Sequence, residues 1–300
     1  MENVKSIPKI DIHAHALPFP GLTPYCPGCA NFSSAEEVLA VYDRLGVEKG
    51  VLLPLVSPDG IVAPMTAEAT KLLADKYPDR FLWFANVDPR AAGNHPDAHL
   101  GVLMAQYKKM GAKGIGEITA GLYLDDPRLE NLFACAGELD LPVTIHISIA
   151  PDSYGVADEL GLPRLEKILK KFPKTKILGH SQVFWSEISA DNNEEIRNTY
   201  PSGKVTDGRV AQLMRAYPNL YCDLSAGSGA NAFMRDPEYA AKFIKEFADR
   251  ILYGIDLVSA QSRFPGEFCA FFDKMLDDGM ISPENYRKIF RDNAVKLLGL

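Results

Sequence analysis

The sequence predicts an α/β protein built as one (β/α)8 barrel, and three observations carry that expectation. Short apolar, β-rich runs alternate with longer helical patterns from one end of the chain to the other. The runs number eight, the count at which a parallel sheet can close on itself. Polar side chains of catalytic type sit near the C-terminal ends of several runs, where a closed barrel would gather them on one face and an open sheet would scatter them.

The strands are expected at 9–15 (KIDIHAH), 50–56 (GVLLPLV), 81–88 (FLWFANVD), 112–118 (AKGIGEI), 142–148 (PVTIHIS), 176–182 (KILGHSQ), 220–226 (LYCDLSA) and 251–257 (ILYGIDL). Helical patterns lie between them. In SSAEEVLAVYDRLG, Ser33 or Ser34 caps the start and Gly46 ends the helix, while in PRLEKILKKFP, Pro163 suits a first turn. HPDAH at 95–99 is expected to open an outer-ring helix carrying surface histidines, and GSGAN at 227–231 to form a flexible loop without the spacing of a phosphate cradle. Two long loops, 16–33 with Phe19 and Tyr25 and 183–205 with Phe184 and Trp185, are expected on the catalytic face.

Composition narrows the partners. A chain of 300 residues with 47% hydrophobic content can bury one large core, and no linker, repeat or low-complexity segment divides it, so residues 1–300 are expected to form a single domain. A net charge of -7 offers no footprint for a nucleic-acid backbone, and the longest apolar runs are too short to span a bilayer. The expectation is a soluble, cytoplasmic protein acting on a small molecule, with no nucleic-acid or membrane partner. Homo-oligomerisation stays open. The five cysteines do not suggest a disulfide framework, and Cys26 and Cys29, spaced like half a zinc site, are read as thiols in a turn made by Pro27 and Gly28.

His13 and His15 stand two apart on a strand and so project from the same side. Two such imidazoles can share one cation, and His146 with the Asp256 carboxylate would complete an N,O site of catalytic type. Zinc suits these donors, with manganese or iron as alternatives. Asp11, on the same strand face, could orient a ligand imidazole or be a buried structural carboxylate. Arg235 and Arg90 are the arginines that topology brings nearest a substrate carboxylate, Trp185 could wall the pocket or anchor its loop, and Asp223 and Ser225 share one strand face.

The motifs DIHAH, TIHIS, ILGHS, YGIDL and the closing IFRDNAVKLLGL resemble the amidohydrolase superfamily. The similarity is to the branch that joins amidohydrolase-2 hydrolases to aminocarboxymuconate semialdehyde decarboxylase. The resemblance implies that His13, His15, His146 and Asp256 hold the principal metal, with His180 beside it as a catalytic residue or a ligand of a second ion. GIGEI resembles a version in which a glutamate, here Glu117, bridges or binds metal. It implies a metal-dependent hydrolase of an amide, lactone or ester, in which Asp256 relays a proton and His180 stabilises the oxyanion or orients water. The alternative is non-oxidative decarboxylation of a small aromatic or unsaturated acid at the same site, using one or two ions.

Overall fold

A computed structural model describes residues 4–19, 32–60, 65–257, 259–260 and 262–300. Its strands are β1 (Lys9–Ala14), β2 (Val47–Leu52), β3 (Phe81–Trp83), β4 (Ile115–Ile118), β5 (Ala120–Tyr123), β6 (Val143–Ser148), β7 (Gly155–Ala157), β8 (Ile177–His180), β9 (Leu220–Asp223) and β10 (Ile251–Leu252). Every strand pairing is parallel: β1, β2 and β3 form one ladder, and β4, β6, β8, β9 and β10 follow one another in a second.

Backbone hydrogen bonds join the two ladders at both seams. Beyond β3, the Ala85 N–H donates to the Gly114 carbonyl at 2.9 Å and the Gly116 N–H to the Ala85 carbonyl at 2.8 Å. At the other seam the Ile12 N–H donates to the Tyr253 carbonyl at 3.0 Å and the Asp256 N–H to the His13 carbonyl at 2.8 Å. Eight parallel strands therefore succeed one another in a ring with helices between them, the (β/α)8 arrangement. The remaining strands, β5 and β7, form a short parallel annex on the last residues of β6. At four and three residues they are too short to carry a readable alternation.

Local chemistry accounts for the element ends. Ser34 caps the helix Ala35–Leu45 through a capping box: its hydroxyl accepts the Glu37 N–H at 3.3 Å, and the Glu37 carboxylate accepts the Ser34 N–H at 2.8 Å. Gly46 ends that helix with φ 69°, and β2 starts at once, three residues before the run that marked it in sequence. The helix Pro163–Lys171 has no side-chain cap at its first flanking residue; the Asp158 carboxylate instead accepts the N–H groups of Arg164 and Leu165 at 3.0 and 2.8 Å.

Two expectations are corrected. His95 and His99 precede the helix Leu100–Lys109 in turns and do not share a helical face. GSGAN is not a loop but part of the helix Ala226–Met234, because its glycines serve close packing: a Cβ on Gly229 would lie 2.2 Å from the Leu224 carbonyl oxygen. Cys26, Cys29 and Tyr25 lie outside the described residues. Among the described residues no helix is long and apolar enough to cross a membrane.

The β1–β10 seam is held by one buried carboxylate. Asp11 Oδ1 accepts the His13 N–H at 3.0 Å and the Ile255 N–H at 2.8 Å, while Oδ2 accepts the Tyr42 hydroxyl at 2.6 Å. Tyr42 reaches it across Gly50, where a Cβ would lie 2.0 Å from the phenol oxygen. Burial raises the Asp11 carboxyl to about 7, against the lowering effect of these donors. Tyr42→Phe leaves Asp11 Oδ2 without its donor, and urea unfolding should show a loss of about 1–3 kcal/mol with an unchanged far-UV spectrum. An unchanged midpoint would mean the hydroxyl is dispensable.

Candidate metal centre

The ends of β1, β4, β6, β8, β9 and β10 all open on one face, and their polar side chains converge there. His13 Nδ1 lies 2.7 Å from Asp223 Oδ2, and His15 Nδ1 lies 2.8 Å from the Leu53 carbonyl oxygen. Both acceptors lack hydrogens, so each imidazole donates from Nδ1 and in its neutral form carries its lone pair on Nε2. The two Nε2 atoms are 3.1 Å apart. Facing lone pairs at that distance repel unless a proton or a metal cation lies with them.

Two carboxylates surround the pair. Glu117 Oε2 and Asp256 Oδ1 are each 3.5 Å from His15 Nε2 and 3.8 Å from His13 Nε2. Their second oxygens turn to the other side. Glu117 Oε1 lies 2.7 Å from His146 Nδ1 and 3.9 Å from His180 Nε2, and Asp256 Oδ2 lies 3.6 Å from His180 Nε2. Tyr154 donates its hydroxyl to Glu117 Oε2 at 2.9 Å, and Ser225 Oγ meets His180 Nδ1 at 3.0 Å.

Electrostatics follow from this crowding. Burial opposes charge on His13, but the carboxylates of Asp256, Asp223 and Glu117 outweigh it and raise the imidazole to about 10. Burial likewise works against the Glu117 and Asp223 anions, yet the neighbouring imidazoles hold both carboxyls below the usual range. His180 moves the opposite way: burial and the nearby His13 charge lower it to about 4, so it is neutral at pH 7. The centre thus calls for positive charge between the His13 and His15 nitrogens, and a proton on His13 is what meets that call when no metal is bound.

Among the described residues two donor groups, each with atoms within 4.8 Å of one another, can hold a metal ion: His13, Glu117 and His180, and His13, His15 and Asp256. Imidazole nitrogen with carboxylate oxygen fits a borderline divalent cation. Of the expected ligands, His13, His15 and Asp256 come together in one group and Glu117 in the other. His146 belongs to neither and is bonded to Glu117 instead. The acceptor that orients the His13 imidazole is Asp223, while Asp11 holds the backbone of that residue.

Trp185 is buried against Phe184 and Phe233, and its Nε1–H donates to the Asp223 carbonyl at 2.9 Å, so it anchors its loop instead of facing the cavity. Arg235 ends the helix Ala226–Met234, half-buried, and among the described residues its Nε has no hydrogen-bond partner and it is not one of those bordering the cavity beside the centre. Arg90 is paired with Asp88 and Asp59 at 2.7 and 2.5 Å. Tyr154 carried no signal in the sequence, because nothing near it sets a spacing that leads to Glu117.

A barrel whose strand ends gather four imidazoles and three carboxylates on one centre belongs to a class of metal-site enzymes. The chain belongs to the amidohydrolase family, whose model matches residues 10–300. A search of curated proteins finds no match. Solved structures of similar fold include an uncharacterized TIM-barrel protein from Bordetella bronchiseptica, at 17% identity and TM-score 0.66, covering 98% of this chain and 99% of that one. A probable 2-pyrone-4,6-dicarboxylic acid hydrolase from Acinetobacter baumannii with citric acid bound gives 13% identity and TM-score 0.61, covering 98% and 100%. A 5-carboxyvanillate decarboxylase from Novosphingobium aromaticivorans, complexed with manganese and a nitrobenzoic acid, gives 20% and 0.56, covering 89% and 80%.

If the paired Nε2 atoms are a cation site, zinc or manganese added to chelator-treated protein should raise its thermal midpoint. The gain is about 2.7 kcal/mol at free metal a hundred times the dissociation constant. A midpoint indifferent to both metals would rule the site out.

Proposed function

We propose that the protein is a divalent-cation-dependent hydrolase of a small carbonyl compound, an amide, lactone or ester. The supporting observation is the two carboxylates beside the facing nitrogens of His13 and His15, buried Glu117 and the partly exposed Asp256, with buried Asp223 on His13 Nδ1 behind them. Donors of that charge would offset a divalent ion, which weakens its direct capture of an anionic group.

His13, His15, Asp256 and Glu117 would hold the ion, zinc being the first choice, and His146 would brace Glu117. When bound, the ion supplies polarisation of a carbonyl and water made acidic near neutrality. Asp256 is 17% exposed and borders the cavity, so its carboxylate can take the proton of the attacking water and pass it to the leaving group. His180, neutral and 3.6 Å from Asp256, hydrogen-bonds the oxygen that gains charge.

Plasma mass spectrometry of protein purified without chelator should find about one transition metal per chain. About two would recruit His146 and His180 to a second ion, and none, even after reconstitution, would overturn the reading. Glu117→Gln should lower the metal content. His180→Asn should keep the metal and lose about 100-fold or more in turnover; full activity would remove His180 from the chemistry. Acid release from esters, lactones or amides separates the hydrolase from a decarboxylase, which would release carbon dioxide from an aromatic or unsaturated acid.

A further inference from the structure

We propose that Gln182 and Tyr200 form a specificity wall of the cavity beside the metal centre, reading an uncharged group that both donates and accepts a hydrogen bond. The substrate is then a neutral carbonyl compound with an apolar body and a hydroxyl or carboxamide away from the reacting carbon, and not a carboxylic acid. This deepens the hydrolase reading and rests on it in one respect, that the substrate carbonyl sits at His180 and Asp256.

The cavity, of ≈ 460 Å³, has the size of a small-molecule site. His146, His180 and Asp256 border it, and Ile255, Leu257 and Phe264 give it apolar surface. Gln182, two residues past His180, and Tyr200, from the long segment after β8, border it as well. The two side chains meet, with Gln182 Nε2 at 3.2 Å from the Tyr200 hydroxyl oxygen. The same end of the tyrosine ring faces Gly227 in the first turn of the helix Ala226–Met234, where a Cβ would lie 3.4 Å from the hydroxyl oxygen and from Cε1. The phenol end thus stands between two elements that border the cavity. Tyr200 is 53% exposed and Gln182 half-buried, so neither polar group is sealed away.

Their contact leaves hydrogen-bonding capacity open. With Nε2–H donated to the phenol oxygen, the phenol proton and the Gln182 carbonyl oxygen have no partner among the described residues; with the amide turned over, a Gln182 N–H and a lone pair of the phenol oxygen are left instead. Either way the pair offers one donor and one acceptor side by side. A hydroxyl or a carboxamide answers both, whereas a carboxylate, an acceptor only, answers one. Charge points the same way. The bordering side chains that can carry charge near neutral pH are His146, His180 and Asp256, and among the described residues no lysine or arginine lines the cavity. Arg263 adjoins the bordering Ser262 in sequence but is itself exposed and not part of the lining. The stretches outside the described residues, 1–3, 20–31, 61–64, 258 and 261, contain no lysine or arginine in their sequence. A carboxylate enclosed against this wall would lose its water, gain no cation there and face the Asp256 anion.

The test is calorimetric titration with ketones that share the acetophenone end and carry no hydrolysable bond: para-hydroxymethyl, para-methyl and para-carboxy acetophenone. Each is run on protein as purified and on chelator-treated protein, which separates a carboxylate drawn to a metal from one held by the wall. In both forms the hydroxymethyl probe should bind about three- to tenfold more tightly than the methyl probe, and about tenfold or more tightly than the carboxy probe. Tyr200→Phe and Gln182→Leu should each cut the hydroxymethyl advantage to about twofold or less and leave the methyl probe and the metal content unchanged. Gln182→Arg, which sets a cation on the wall, should reverse the order in favour of the carboxy probe, a gain that loss of structure cannot produce. Equal affinities for the hydroxymethyl and methyl probes, no binding of any probe, or a hydroxymethyl preference kept in both loss variants would each overturn the wall. A carboxy probe binding as tightly as the hydroxymethyl one in chelator-treated protein would overturn the neutral substrate class. The same result in metal-containing protein alone would overturn it and count against the hydrolase reading too, since the metal would then be taking the carboxylate. Failure of the hydrolase reading by itself shows as absent acid release from esters, lactones and amides with these preferences intact.

Discussion

Much of this molecule hangs on one buried carboxylate. Asp11 accepts N–H groups from His13 on β1 and from Ile255 beyond β10, and a hydroxyl from Tyr42 on the first helix. The residues it grips are the two ends of the seam that closes the barrel, and each adjoins or is a donor of the metal centre: His13 itself, and Asp256 next to Ile255. The same bonds that join the last strand to the first therefore set the spacing between the imidazole pair and its facing carboxylate. Closure and site geometry are one constraint.

Around that frame the centre is organised by charge. His13 is fixed by Asp223 and His15 by the Leu53 carbonyl, which aims both free nitrogens at one point. Such an arrangement is unfavourable in an empty, neutral site and favourable around a cation. Glu117 and Asp256 each offer one oxygen to the His13–His15 side and one to the His180 side. His180 is pushed toward neutrality by its burial and by the nearby His13 charge. One family of side chains thus yields a positively charged or metal-bound pair and a neutral neighbour, set apart by their partners.

The barrel was legible because its signal is repeated: each of the eight ring strands lies on or within a few residues of an apolar run, and the helix from Ala35 to Leu45 starts and stops at the residues whose chemistry marks caps. The polar groups at the strand ends were legible for the same reason, since strand period and barrel closure together say where they meet. What escaped was set by tertiary contact. Asp223 and Asp11 both sit on strand faces, and only the packed structure tells that the first takes the imidazole and the second the backbone. The glycines of GSGAN read as flexibility until Leu224 is seen pressed against Gly229. Trp185 read equally as wall or anchor, and the choice follows from the Asp223 carbonyl that its indole finds.

That last bond has a consequence for how this enzyme can change. Trp185 stands at the root of the segment after β8, and it is tied to the strand residue that orients His13. Tyr200, farther along the segment and bordering the cavity, instead meets the Gln182 amide at 3.2 Å. Substitutions at the tip can alter which molecules are admitted while the root keeps the ligands in place. The residue that helps fix the orientation of His13 and the residue that borders the cavity are therefore different ones within a single segment, so one can vary while the other is kept.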